Sequence, residues 1–157
     1  SYRTTVDDLT SKNIQDREYF PVVMSGKPVL GTIVASKSTG RPVVITAAPI
    51  LQAGEVTGIL GTSIYLQDIN NEIVQALPLP ANQMFFAVHT DGTIALHSTD
   101  TWIGQPISDF ETQGLLGTVL KEENGKCRFA LGGKSWEAVW VTAPRTGWRI
   151  VIAGTPE

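Results

Sequence analysis

The sequence predicts an α+β fold of two tandem β-rich modules, the second with five strands and the first with three. Three observations predict it. A glycine-turn and strand signature occurs twice. One copy runs from Thr39-Gly40-Arg41-Pro42 through Thr46-Ala47-Ala48-Pro49 to Gly58-Ile59-Leu60-Gly61-Thr62. The other runs from Gly133-Lys134 through Thr142-Ala143-Pro144 and Thr146-Gly147-Trp148 to Ala153-Gly154-Thr155. A repeated strand–loop–strand unit argues for related modules in tandem. Runs rich in β-branched residues recur between glycine turns, and helical patterns separate the groups of strands.

Residues 1–25 read as helical, with Asp7 and Asp8 suited to a first turn. A second helical segment covers 16–24, and Pro21 starts or bends it. Strands follow at 29–36, 42–49 and 56–65, divided by the turns Ser38-Thr39-Gly40-Arg41 and Gln52-Ala53-Gly54-Glu55. The unbroken apolar run of 56–65 predicts a central strand buried on both sides. Leu66, Ile69, Ile73, Val74 and Leu77 share one face of a helix over 66–77, which Pro78 and Pro80 end. The module boundary is placed there, giving modules 1–78 and 79–157. Strands 84–90 and 93–98 flank Asp91-Gly92, a strong hairpin signal. Ser108-Asp109-Phe110-Glu111 has capping-box spacing for a helix carrying Leu115, Leu116, Val119 and Leu120, and Asn124-Gly125 ends that helix. Strands 126–131, 135–141 and 148–153 complete the second module, with Gly132-Gly133 as a tight turn.

Composition narrows the function. A net charge of −3 without a Lys/Arg cluster argues against a nucleic-acid surface. Cys127 is the one cysteine, so there is neither an internal disulfide nor a cysteine zinc site. No run approaches the ~20 apolar residues that span a bilayer. The start at Ser1-Tyr2-Arg3 reads as a cut in a longer chain. No Gly-x-Ser-x-Gly elbow is present, and the carboxylates Asp68, Asp91, Asp100 and Asp109 are scattered over turns and helix starts. The run Gly58-Ile59-Leu60-Gly61-Thr62-Ser63 lies in a strand pattern and lacks the Gly-Lys-Ser/Thr of a phosphate loop. The chain is therefore read as a non-enzyme, with no cofactor and no metal expected.

Several motifs, in order, resemble the Cache family of extracytoplasmic PAS-like sensors. They are Asp16-Arg17-Glu18-Tyr19-Phe20, Ser36-Lys37-Ser38-Thr39-Gly40-Arg41-Pro42-Val43 and Gly58-Ile59-Leu60-Gly61-Thr62-Ser63-Ile64-Tyr65-Leu66. In the second module they are Val88-His89-Thr90-Asp91-Gly92-Thr93-Ile94-Ala95-Leu96-His97 and Thr146-Gly147-Trp148. The resemblance implies a five-stranded antiparallel sheet flanked by helices, preceded by a partial second PAS-like module. It also implies an extracytoplasmic, small-molecule sensor of a membrane-spanning signalling protein: a chemoreceptor, histidine kinase or cyclic-nucleotide enzyme. A homodimer is among the assemblies it allows, and a transmembrane helix is expected after residue 157. Double-Cache receptors begin with a long helix and hairpin before the Asp-Arg-x-Tyr-Phe segment. Here that part is missing, so the distal module reads as truncated or completed by a partner chain.

The resemblance also implies a ligand site. In amino-acid-sensing relatives the residue matching Arg17 holds a ligand carboxylate, a task suited to a planar guanidinium. Tyr19 and Phe20 match aromatic wall positions, with Phe20 read as core packing. Ser63 departs from the aspartate that pairs with a ligand ammonium, and Val34 departs from an aromatic position. These departures point away from α-amino acids and toward a small carboxylate or a neutral polar molecule. Ser36 lies on the strand face of Val34 by alternation and is read as a hydrogen-bond donor. The rival reading is a carbohydrate-binding or metal-dependent hydrolytic domain. It requires His89, His97 and an acid, or the tryptophans Trp102, Trp136, Trp140 and Trp148, to converge in an open cleft.

Overall fold

The computed structural model describes residues 2–3, 9–10, 12–110 and 115–156. Backbone contacts divide the chain into two compact units, Ser1–Ile64 and Tyr65–Glu157.

In the first unit, β1 (Tyr2–Arg3) pairs antiparallel with β2 (Leu9–Thr10), so the helix expected over 1–25 does not form there. Thr4, Thr5, Val6 and Thr10 are β-branched and weaken helical preference. Asp7 and Asp8 lie outside the described residues. The helix is confined to α1 (Tyr19–Met24). Pro21 falls in its first turn, where an N–H would have no partner four residues back. Val23 is fully buried.

A three-stranded sheet follows, in the order β3 (Val29–Ala35), β4 (Pro42–Gln52), β5 (Glu55–Tyr65). Val34 pairs with Val43, Thr32 with Ile45 and Val29 with Ala47. The register shifts at Gly31, whose φ of 86° suits a bulge. Ala53 (φ 52°) and Gly54 (φ 87°) join β4 to β5 with both central residues left-handed, the geometry of a type I′ hairpin. Pro49 is inside β4 instead of ending it, but it lies beyond Ala47, where β3 has stopped. Its missing N–H costs no bond to that neighbour.

The central place expected for 56–65 is corrected: β5 is the edge of this sheet, and β4 is its centre. Leu60 is 70% exposed and Ile64 46%. An apolar run reports two apolar faces; it carries no information about which strands lie alongside.

In the second unit, α2 (Leu66–Ala76) leads into β6 (Gln83–Val88) and β7 (Ile94–His97). A 3-10 turn (Asp100–Trp102), α3 (Ile107–Phe110) and α4 (Leu115–Val119) follow. The chain ends in β8 (Asn124–Leu131), β9 (Lys134–Thr142) and β10 (Arg149–Gly154). These strands form one five-stranded antiparallel sheet, ordered β7-β6-β10-β9-β8. The fold is the α+β, PAS-like arrangement expected. Its β8-β9-β10 meander has the same consecutive order as β3-β4-β5, but the two Thr-Ala stretches differ in place: Thr46-Ala47-Ala48-Pro49 lies inside β4, whereas β9 ends at Thr142.

One face of the second sheet makes the core. Met84, Phe86 and Val88 alternate along β6, and Ala138 and Trp140 along β9. Leu115 and Val119 of α4 cover them. Burying side chains of this size stabilises by about 1.5–3 kcal/mol each.

Three local expectations change in this unit. The buried residues of α2 are Leu66 and Asn70, four apart, while Val74 and Leu77 are about 40% exposed. Ser108 lies inside α3, not at its cap, and Glu111 lies outside the described residues. Asn124-Gly125 belongs to β8 and does not end a helix. Gly125 pairs with Trp140, and a Cβ there would sit 2.5 Å from the indole. Glycine is thus required by a ring, not by a cap.

Candidate ligand cavity

A cavity of about 210 Å³ opens on one face of the first sheet. Strand alternation builds its floor from Val43, Ile45 and Ala47 of β4 and Ile59, Gly61 and Ser63 of β5. Gly61 leaves the floor open, because a Cβ there would meet only ordinary contact, with the Thr46 carbonyl oxygen at 3.6 Å and Ala47 at 3.8 Å. Val34 and Ser36 line a further edge, and Arg17 and Tyr19 line it from the segment entering α1. The five residues singled out from the sequence, Arg17, Tyr19, Val34, Ser36 and Ser63, all border this one space. Phe20 is half-buried and does not line it.

Contacts across the sequence hold Arg17 in place. Its Nη2 donates to the Ala35 carbonyl at 2.7 Å. Lys37 Nζ donates to the Asn13 carbonyl at 2.6 Å and to both Asp16 oxygens at 2.5 and 2.6 Å. Lys12 Nζ donates to the Lys37 carbonyl at 2.7 Å. The ammonium of Lys37 beside Asp16 holds that carboxyl below its usual value. Asp16 is thereby committed to Lys37, and among the described residues no carboxylate pairs with Arg17. One guanidinium N–H is used on Ala35, and the remaining donors suit a planar anion.

Ser36 is corrected in its placement. The strand ends at Ala35, and Ser36 opens the turn. Its Oγ accepts the N–H groups of Ser38 (3.3 Å) and Thr39 (3.4 Å), which leaves its O–H as the donor. Ser63 is exposed on β5, and Val34 is half-buried.

Arg3, Arg17 and Lys37 line the cavity, and among the described residues no Asp or Glu does. Lys37 is neutralised by its ion pair with Asp16, which leaves the Arg17 guanidinium as the group placed to meet an anion. Sequence reasoning missed Lys37, Ala47 and Gly61. The signal for Gly61 was a glycine in a strand, which marks close approach of a ligand or backbone as readily as a bulge.

Of the residues of the rival reading, His97, Trp102 and Trp136 border one space in the second unit, while His89, Trp140 and Trp148 lie elsewhere. His89 Nδ1 lies 2.9 Å from Asp91 Oδ1, and the ring meets Trp148 edge-on at 6.5 Å. Burial raises the Asp91 carboxyl, but hydrogen bonds from Thr93 and His89 outweigh it and bring the net value below the usual one. His97 is 2% exposed and stacks on Phe86 at 5.8 Å. Trp140 and Trp148 are buried, while Trp102 and Trp136 pack against the core. Among the described residues no three His, Cys, Asp or Glu groups gather as a metal site, and no helix is long and apolar enough to cross a membrane.

Solved structures share the fold. The ligand-binding domain of Mlp24 with asparagine is 20% identical, with a TM-score of 0.72 over 94% of this chain and 59% of that one. That of the Pseudomonas aeruginosa PAO1 amino acid chemoreceptor PctB in complex with L-Arg is 21% identical (TM-score 0.70, 94% and 63%). The extracellular domain of the histidine kinase mmHK1S-Z3 is 23% identical (TM-score 0.71, 83% and 50%). The chain thus spans 50–63% of the length of these three. No curated protein shows significant similarity to it. The family description "Cache domain" matches residues 3–156, nearly the whole chain, and the chain belongs to that family.

Proposed function

We propose that this chain is the extracytoplasmic sensing portion of a transmembrane signalling protein, and that its first unit binds a small organic carboxylate beside Arg17. The observation that carries the reading is Arg17 at the edge of a cavity that no Asp or Glu among the described residues lines, with Ser63 on its floor. An α-amino acid would bring its ammonium into a cavity that no Asp or Glu among the described residues lines, which is costly in a partly desolvated site. The amino-acid ligands of Mlp24 and PctB belong to those proteins; the lining of this cavity favours a ligand that keeps the carboxylate and lacks the amine.

Signalling follows by population shift. A ligand touching both Arg17 and β5 stabilises the arrangement in which these two are close, and only its preference for that arrangement is transmitted.

The test is calorimetric titration with acetate, propionate, lactate and succinate, against alanine and serine. At least one carboxylate is expected to bind, and Arg17→Ala to weaken it about 10- to 150-fold, the cost of a charge-assisted hydrogen bond of about 1.5–3 kcal/mol. Gly61→Val, which fills the floor, is expected to abolish binding without unfolding the sheet. Amino-acid binding unaffected by Arg17→Ala overturns the proposal.

A further inference from the structure

We propose that the second unit holds a separate ligand site, a cavity of about 530 Å³ that takes an uncharged aromatic small molecule. The volume falls within the range of about 300–1,000 Å³ typical of small-molecule pockets. It lies where the end of α2 and the Leu77-Pro78-Leu79-Pro80 segment pass the edge formed by Met84, Trp102 and Trp136.

The apolar face of α2 explains why the space exists. Its pattern predicts a stripe packed into a core, yet Leu66 and Asn70 are the residues that reach the interior. Val74 and Leu77 instead line the cavity, each about 40% exposed. The apolar stripe is thus left partly facing an open space of molecular size.

The lining decides the ligand's charge. Among the described residues no Lys, Arg, Asp or Glu lines this cavity. His97, the one titratable group among the described lining residues, accepts the Thr99 N–H on Nδ1 at 2.7 Å, which places the ring in its neutral form with the proton on Nε2. A carboxylate or ammonium would enter without a counter-ion and lose its hydration uncompensated. This contrasts with the first cavity, which three cations line.

The lining also decides the shape of the ligand. The polar groups are largely committed within the chain. Trp136 Nε1 donates to the Leu131 carbonyl, and the Ser98 hydroxyl both accepts from Phe85 N and donates to Phe85 O. What remains is ring and thioether surface from Trp102, Trp136 and Met84, which favours a flat aromatic partner. The Gln83 amide at the border supplies a hydrogen-bonding group for a polar substituent.

The test uses the whole chain and the neutral probe 4-fluorobenzyl alcohol, followed by 19F line broadening. Broadening is expected at sub-millimolar to millimolar probe concentrations, with the anion 4-fluorobenzoate at least tenfold weaker. Leu77→Glu and Leu79→Glu, both at partly solvent-facing positions, each place a charge in the cavity and are expected to remove the broadening, with the folded-state circular dichroism retained. Gly61→Val, in the first unit, is expected to leave it unchanged. Absence of broadening, persistence in both glutamate variants, or loss in Gly61→Val overturns the proposal.

Discussion

Mild acid should weaken the second unit through His97. The ring is 2% exposed, stacked on Phe86 and 6.4 Å from Trp102. Burial pushes its pKa down to about 4. Asn70 of α2 accepts the His97 backbone N–H and gives its own amide proton to Asp100. In the unfolded chain the imidazole titrates near ~6.5. Between these values the unfolded state binds a proton that the folded state refuses, so stability falls as pH falls, beginning near pH 6.5 and finishing near 4. From pH 7.5 to 5 the loss is about 2 kcal/mol, and the full difference approaches ~3 kcal/mol. The carboxyls of Asp16 and Asp91 lie below their usual value, so their contribution is lost only in stronger acid. All four tryptophans belong to the second unit, so indole fluorescence in urea reads that unit selectively. The urea midpoint should drop by roughly 1 M between pH 7.5 and 5. In His97→Gln the drop should shrink to a small remainder. An equal acid loss in both proteins, or a gain in wild-type stability on acidification, would refute the reasoning.

Three further substitutions test other parts of the structure. Ala53→Asn relieves a left-handed alanine in the β4–β5 turn and should stabilise that hairpin by about 1 kcal/mol, seen as roughly fivefold slower amide exchange in β4 and β5. Gly125→Ala forces a methyl against the Trp140 indole and should cost about 1–3 kcal/mol by overpacking, read as an earlier fluorescence transition. Ser63→Asp places a carboxylate in the first cavity; alanine or serine should then bind measurably by calorimetry while acetate weakens at least tenfold.

Local chemistry made much of the fold legible. The Asp91-Gly92, Gly132-Gly133 and Ala53-Gly54 turns need residues that tolerate left-handed backbone, and alternation between them marks strands. Pairing is not local. Nothing in 55–65 says that one side of β5 stays open, and nothing in Asn124-Gly125 distinguishes a helix stop from a strand facing an indole. Asn70 was invisible for a similar reason. A polar residue on a helix reads as solvent-facing, yet this one is fully buried because it bonds both His97 N and Asp100. For the site, Arg17, Tyr19, Val34, Ser36 and Ser63 were gathered by family resemblance, not by spacing. The bonds from Arg17 to Ala35 and from Lys37 to Asp16 required coordinates. The second cavity was hidden because periodicity assigns every apolar face to a core.

Charge and shape in the first cavity come from different pieces of chain. The floor is strand: Val43, Ile45, Ala47, Ile59 and Gly61 supply form without charge, and their positions are fixed by sheet register. The positive groups Arg17 and Lys37 sit instead at the approach to α1 and in the turn after β3. The two segments are tied together by Lys37 with Asp16 and by Arg17 with the Ala35 carbonyl. In the proposed site, charge thus comes from segments outside the strands, and size from floor positions such as Gly61. A substitution that breaks the Lys37–Asp16 tie should loosen Arg17 and lower affinity for any anion alike, while one at Gly61 should discriminate by size. The two kinds of change separate how tightly this site holds a ligand from which ligand it admits.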